Sequence, residues 1–378
     1  MAWNFRRRVK IIPGVHLNFS KNGVSTSIGV KGASMTFGPS GTYLNAGIPA
    51  LGIYNRQKFT GEHATVPPSP QHTTPIIDAR GNIFSADIHE ITSQDMQGVK
   101  EAILLARQQR LSLTKDLSKI QQTQRTTKLK KTMSYLLLYG LIQKSIPANL
   151  THDILAQSEA IKQTKEQINE SYVKLEIDFD PEIQTEIQIR YETLIRTFMD
   201  LTRCHRIWDV TSAHYEDRAI TRSSAGTVVT RKNVGFSFKS IPDFKSDIKA
   251  LYFQNANGAD LYIYPSFIVM MQAGLSDFGI IGLDEIDLQQ SFVRFTETEP
   301  VPADSKIIDQ TWTKVNKNGT PDRRFKGNYQ IPVVRYGEIR LKTNTGLHEE
   351  YEFSNYEASE SFAKAFQEYQ AFVRQLMV

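Results

Sequence analysis

The sequence predicts an α+β multidomain protein. A small antiparallel β module, a helical hairpin and a second β-rich domain follow one another along the chain. Three observations predict it. Residues 1–57 alternate apolar with small polar side chains between glycine-rich turns, the period of a half-buried sheet. Residues 93–210 change to apolar spacings of three and four. From Ala250 the period returns to two, and the chain ends in one amphipathic helix.

In the first module FRRRVKI, VHLNFS, GVSTSIGV, ASMTF, TYLNAGI and LGIY read as short strands, separated by PG, SKNG, KG and GPSG. Asn22-Gly23 is a hairpin signal, because both central residues of a type I′ turn need positive φ. So thin a sheet is marginal alone, so it is expected to pack on another domain or another copy. Residues 58–92 carry TVPPSPQHTTP, the composition of a semi-rigid linker.

The helical segment has two heptad stripes. Val99, Ile103, Ala106, Arg110, Leu113, Leu117 and Ile120 form the first. Leu150, Ile154, Gln157, Ile161, Thr164, Ile168, Ser171 and Leu175 form the second. Arg110, Gln157, Thr164 and Ser171 are imperfections in the seams. The intervening residues are expected to close the two into an antiparallel hairpin or coiled coil. Charge supports this: residues 95–120 carry 5 bases and 3 acids, residues 150–178 carry 3 bases and 6 acids. A third helix is predicted from Asp180-Pro181, with Ile183, Ile187, Tyr191, Leu194, Phe198 and Leu201 on one face. Residues 218–240 read as a loop or loose hairpin.

Beyond Ala250, LYFQN, DLYIYPSFIVMM, FGIIGL, LQQSFVRF, QTWTKV, PVVRYGEIRLKT and EEYEFS read as strands. The final helix aligns Phe362, Phe366, Tyr369 and Phe372 or Val373. A curved sheet of about seven strands closed by a C-terminal helix is the layout of a pleckstrin-homology-like barrel. The expected domains are 1–57, the linker 58–92, the helices 93–210 and the barrel 211–378.

The chain has 378 residues, 40% apolar and 22% charged, and a net charge of +5, which excludes global disorder and says little about partners. Its one cysteine, Cys204, rules out an internal disulfide framework and fits a reducing compartment. No apolar signal core follows the basic start, and MSYLLLYGLI is about half a bilayer span. A cytoplasmic protein is expected.

FRRRVKI, PGV, SKNGVS, VKGAS and GTYLNAGIP together resemble a short N-terminal domain found in many bacterial proteins and classed as of unknown function. EIDFDPE, RIWDVT, NANGADLYIYPSF, NGTPDRRFKGN and VVRYGEIRLKTNTGLHE make the remainder look like longer bacterial members of that family. The resemblance implies a bacterial, cytosolic setting and no activity.

Reactive constellations are sparse. Cys204-His205 with His214 is the one Cys/His cluster, and it lacks the second ligand pair of a zinc site. A buried structural cysteine is the plainer reading. His63, His72 and His89 keep no ligand spacing with a cysteine or carboxylate. There is no GxSxG and no phosphate-binding GxxxxGK[ST]. Asp284, Glu285 and Asp287, like Asp178 and Asp180, sit where capping and solvation explain them. No catalytic residue, metal or cofactor is therefore assigned.

Basic clusters carry more. Arg6 and Arg8 share one face of the first strand. Residues 312–342 hold eight bases against two acids, and TPDRRFKGN sets Arg323, Arg324 and Lys326 around Phe325 on a turn. This suits an acidic or phosphate-rich partner, although pairing with Asp322 is the plainer reading. The hairpin tip puts Arg125, Lys128, Lys130 and Lys131 just before Tyr135 and Leu137. A membrane surface is one use of such a tip; burial against another domain or a partner protein is the expected one. The function expected is a non-enzymatic scaffold or adaptor that binds proteins and self-associates. The alternatives are a peripheral membrane or nucleic-acid binder and, third, a metal-dependent hydrolase that would need Asp284 or Asp287.

Overall fold

The computed structural model describes residues 14–20, 23–30, 33–38, 41–48, 53–58, 82–88, 91–93, 96–138, 142–215, 227–245, 248–272, 277–316 and 318–376. Arg6, Arg8, the proline cluster, His63, His72, His89 and the side chain of His214 lie outside them.

Five strands make the N-terminal meander: β1 (Gly14–Ser20), β2 (Gly23–Val30), β3 (Ala33–Gly38), β4 (Gly41–Ile48) and β5 (Ile53–Lys58). Ser20 pairs with Gly23, so Gly23 belongs to the strand and not to the centre of the turn. The meander is not a separate sheet. β6 (Val173–Phe179) and β10 (Phe244–Lys245) add to it in parallel, in the order β10-β6-β1-β2-β3-β4-β5. Val15, Leu17 and Phe19 alternate inward from β1 and join the large core of the protein.

The helical hairpin is built from α1 (Gln97–Leu136) and α2 (Ser145–Glu170). The first stripe is buried at Val99, Ile103, Ala106, Leu113 and Ile120. Gln124 Nε2 donates to Ser158 Oγ (2.7 Å) and Gln157 Nε2 to Thr127 Oγ1 (3.1 Å), which fixes the antiparallel pairing. The second stripe ends sooner than its rhythm suggested. α2 stops at Glu170, and Leu175 lies on strand β6, because a free strand edge at β1 accepts it. The third helix, α3 (Gln184–Leu201), starts three residues beyond the expected turn. Asp180 still organises the entry, its Oδ1 accepting Glu182 N–H (3.1 Å) and its carbonyl Gln184 N–H (3.0 Å).

Two further sheets form the C-terminal half. One is β14-β13-β12-β11-β9, from β9 (Phe236–Lys239), β11 (Ala250–Phe253), β12 (Asp260–Ile263), β13 (Phe267–Met271) and β14 (Phe278–Gly282). The other is β15-β17-β18-β7-β8, from β7 (Ile207–Tyr215), β8 (Thr227–Asn233), β15 (Asp287–Thr296), β17 (Gln330–Lys342) and β18 (His348–Phe353). β16 (Lys306–Trp312) hangs on β17. Residues 218–240, expected as a loop or loose hairpin, thus supply strands β8 and β9, which belong to different sheets. The chain passes between the sheets at Val234-Gly235 and again through a 3-10 turn at Leu283–Glu285. Neither sheet closes into a barrel among the described residues.

Helix α4 (Tyr356–Leu376) packs against α3 and the sheets. Phe198 on α3 stacks on Phe253 (5.5 Å between ring centroids), and Phe236 on Phe253 (4.1 Å). Phe362 closes the same aromatic core. Gln370 Nε2 donates to the carbonyls of Leu283 and Ile286, holding the sheet-to-sheet turn. Residues 82–88 and 91–92 of the expected linker, with Ser93, are laid over both sheets. Ile83 N–H donates to Thr211 O, Ala86 N–H to Gly346 O and Ser93 N–H to Ile280 O, each at 2.9 Å. Gly346 is required there: its φ is +112°, and a Cβ would stand 2.6 Å from that of Ala86.

Candidate functional site

The hairpin arm has two unlike ends. At its base Asp243, which is buried, receives the guanidinium of Arg107 in a forked pair and also that of Arg110. Arg110, an imperfection in the heptad, is therefore an anchor of the arm to the body. Its partner is 133 residues distant in sequence, so no local pattern announces it.

Toward the far end the helices meet through small polar side chains. Thr127, Ser134, Gln157 and Thr164 are buried between them. Ser134 and Thr164 return their hydroxyls to carbonyls of their own helices. The apolar side chains point the other way: Leu129, Met133, Tyr135 and Leu137 are exposed, and Leu136 and Ile142 are 72% and 85% exposed. No described segment covers this tip.

Leu138, two residues past α1, has φ +63°, a backbone region where glycine sits without penalty and leucine costs about 1 kcal/mol. A leucine 61% exposed is thus kept where the local backbone favours glycine. Charge sharpens the picture. From residue 117 to residue 152 the chain has six Lys and Arg (Lys119, Arg125, Lys128, Lys130, Lys131 and Lys144) and no Asp or Glu. Lys128 and Lys130 are exposed and Lys131 half-buried, and none of them makes an ion pair among the described residues.

The second basic cluster is partly spent inside the protein. Asp322 is buried, and Arg324 donates to it from its backbone N–H (3.1 Å), Nε (2.9 Å) and Nη2 (2.6 Å). That leaves Arg323 and Lys326, both exposed, beside the half-exposed Phe325. The tip and this loop are separate surfaces, and nothing in the fold joins them to a common site.

Sequence reasoning missed two polar centres. Arg231, on β8, is clamped by Glu297 (2.7 Å) and Glu352 (3.0 Å) and stacks on Trp208 and Phe295. Burial pushes Glu297 up, but Tyr336, the Glu299 backbone N–H and Arg231 together bring it below the ordinary range. Beside this centre a groove of about 890 Å³ runs over the outer sheet face, lined by Phe292, Phe295, Arg294, Glu338, Arg340 and Glu350 among others. The other centre lies where residues 82–88 meet the sheet. Glu349, fully buried, accepts the hydroxyl of Ser85, and burial pushes its carboxyl up to about 8. The nearby Asp209, also raised by burial, adds to this. All four of these acids are invisible to pattern reading, because in sequence they are ordinary residues of strands and turns.

Cys204 is half-buried, and burial pushes its thiol up to about 12, which suits a structural cysteine and not a nucleophile. His205 uses Nδ1 to accept Ala303 N–H (3.0 Å). Asp284 lies in the inter-sheet turn, where its carbonyl accepts Arg374 Nε (2.9 Å). Among the described residues no three His, Cys, Asp or Glu side chains group as metal ligands, and no helix is long and apolar enough to cross a membrane.

Residues 3–56 match a family described as a protein of unknown function, DUF4236. The match covers β1 to β4 and most of β5, and none of the helical arm or the C-terminal sheets. No curated protein and no solved structure matches the chain.

Proposed function

We propose that this protein is a non-enzymatic adaptor: a β-rich body that holds out a helical arm and docks a partner at the arm's tip. One observation carries the reading. Leu129, Met133, Leu136, Leu137, Leu138 and Ile142 at the end of the arm face solvent, while Thr127, Ser134 and Gln157 are buried beside Ala160 in the seam, an exposed apolar patch that a free-standing helical hairpin in water disfavours. A partner surface is what such a tip lacks. The two C-terminal sheets with their packed helix support reading that half as a pleckstrin-homology-like module, and the heptad spacing supports treating the arm as a coiled-coil spacer. The open groove beside Arg231 supports peptide or protein binding by the sheet face. The thin N-terminal meander is a second place for contact between copies.

The test compares the full chain with its Leu136→Asp/Ile142→Asp variant in affinity capture from bacterial lysate, with and without nuclease, and in light scattering. Docking at the tip predicts captured material, whether a protein, a homo-oligomer or membrane lipid, that resists nuclease and is lost with the variant. Material that disappears with nuclease, and that depends on Arg323 and Lys326 instead, moves the function to the basic loop.

A further inference from the structure

We infer that the arm tip docks on an anionic lipid bilayer, entering its interface without crossing it. The inference rests on the reading of the tip as a docking surface and names what it docks on.

Three features converge. The first is the shape of the apolar surface. Leu129, Met133 and Leu136 follow one another at i, i+4 and i+7 on the face of α1 turned away from α2, and this stripe runs into Leu137, Leu138 and Ile142 at the chain reversal. The second is where the cations stand. At 100° per residue, Arg125 and Lys128 fall on one side of the stripe and Lys130 on the other, while Lys144 lies beyond the turn. Leu136 is about 9 Å further along the axis than Lys130. That separation matches the depth to which interfacial helices bury their apolar side chains, about 5–10 Å below the charged headgroups. Lysine stems are long enough to stay with the phosphates while the leucines enter. The third is Leu138: at φ +63°, where glycine would sit without penalty, the chain carries a leucine that is 61% exposed.

The charge decides between lipid and protein. Thirty-six consecutive residues, 117–152, contain six cations and no acid. A protein groove fitted to them would need an apolar floor with unpaired acids on both rims and beyond the turn. An anionic bilayer offers an apolar interior beneath a continuous sheet of negative charge, at any rotation of the arm.

The experiment is co-sedimentation of the full-length protein with vesicles of phosphatidylcholine alone and with about 30 mol% phosphatidylglycerol. Binding is expected to the anionic vesicles, at least about tenfold above the neutral ones, and to weaken as salt is raised severalfold above about 0.1 M. Lys128→Gln/Lys130→Gln should lower partitioning by about fivefold per lysine. Leu136→Asp/Ile142→Asp should abolish it, and both variants should keep the wild-type melting temperature, since none of the four side chains is buried. Equal binding to both vesicle types, no binding, or binding unchanged by the tip variants overturns the inference. If vesicles are ignored but the aspartate variant loses a captured protein or an oligomer, the lipid inference falls and the adaptor reading stands. If neither vesicle binding nor capture depends on the tip, both fall.

Discussion

At its base helix α1 turns Val99, Ile103 and Ala106 into the core and sends Arg107 and Arg110 to the buried Asp243. At its far end the same helix turns Thr127 and Ser134 inward and Leu129, Met133 and Leu136 outward. The base is held by burial of apolar area, at roughly 25 cal/mol per Å², and by a desolvated ion pair. The far end is held by helix propagation and a few hydrogen bonds worth about 1 kcal/mol each. One half of the arm therefore answers to the stability of the protein and the other to what the protein touches.

The contrast can be broken most strongly at Asp243. Asp243→Ala leaves two part-buried guanidiniums without their carboxylate and should cost about 3–5 kcal/mol, read as a fall in the urea midpoint. Next comes Ile103→Ala, expected at about 2–4 kcal/mol by the same measurement, since the side chain is fully buried.

Glu349 sharpens the comparison from the side of the body, because its burial makes stability depend on pH. Its folded carboxyl titrates near 8 against an ordinary 4.5, so the native state keeps a proton that the unfolded chain gives up. Stability therefore falls as pH rises from about 4.5 to 8, by an amount on the order of a few kcal/mol, and levels off above. Glu349→Gln, which still accepts the Ser85 hydroxyl, should flatten this dependence in midpoints taken at about pH 5, 7 and 9; an unchanged slope would assign the burden to other groups.

The smallest effect is expected at the tip. Leu136→Ser should shift the melting temperature by no more than about 0.5 kcal/mol's worth, because the residue already faces water. Hydrogen exchange should show the same gradient, with amides near Thr127 exchanging faster than those near Ile103.

Local pattern was enough for much of this. The strands of the meander, the helix α1 over its first stripe, the run of strands after Ala250 and the aromatic face of α4 all show in periodicity, because each buries one face and periodicity records which. The basic tip, too, was legible as composition. Its exposure was not, since an apolar run looks the same whether it is covered or bare. Strand β6 was hidden because its Leu175 continued a helical rhythm; only the free edge of β1 made it a strand. Strands β8 and β9 were hidden in a segment rich in Ser, Thr, Lys and Arg, whose β8 is mostly exposed.

By itself the sequence determined the succession of β module, helical arm and second β region, and the acid-free charge of the arm's end. These follow from residue order, since side-chain period and charge are local properties. Tertiary structure alone decided that β1 and β6 share a sheet, that Arg110 is an anchor, that Glu349 and Asp209 are buried near each other, and that the leucines of the tip face outward. Each joins residues far apart in the chain or depends on what covers them, and long-range contact leaves no mark on local period.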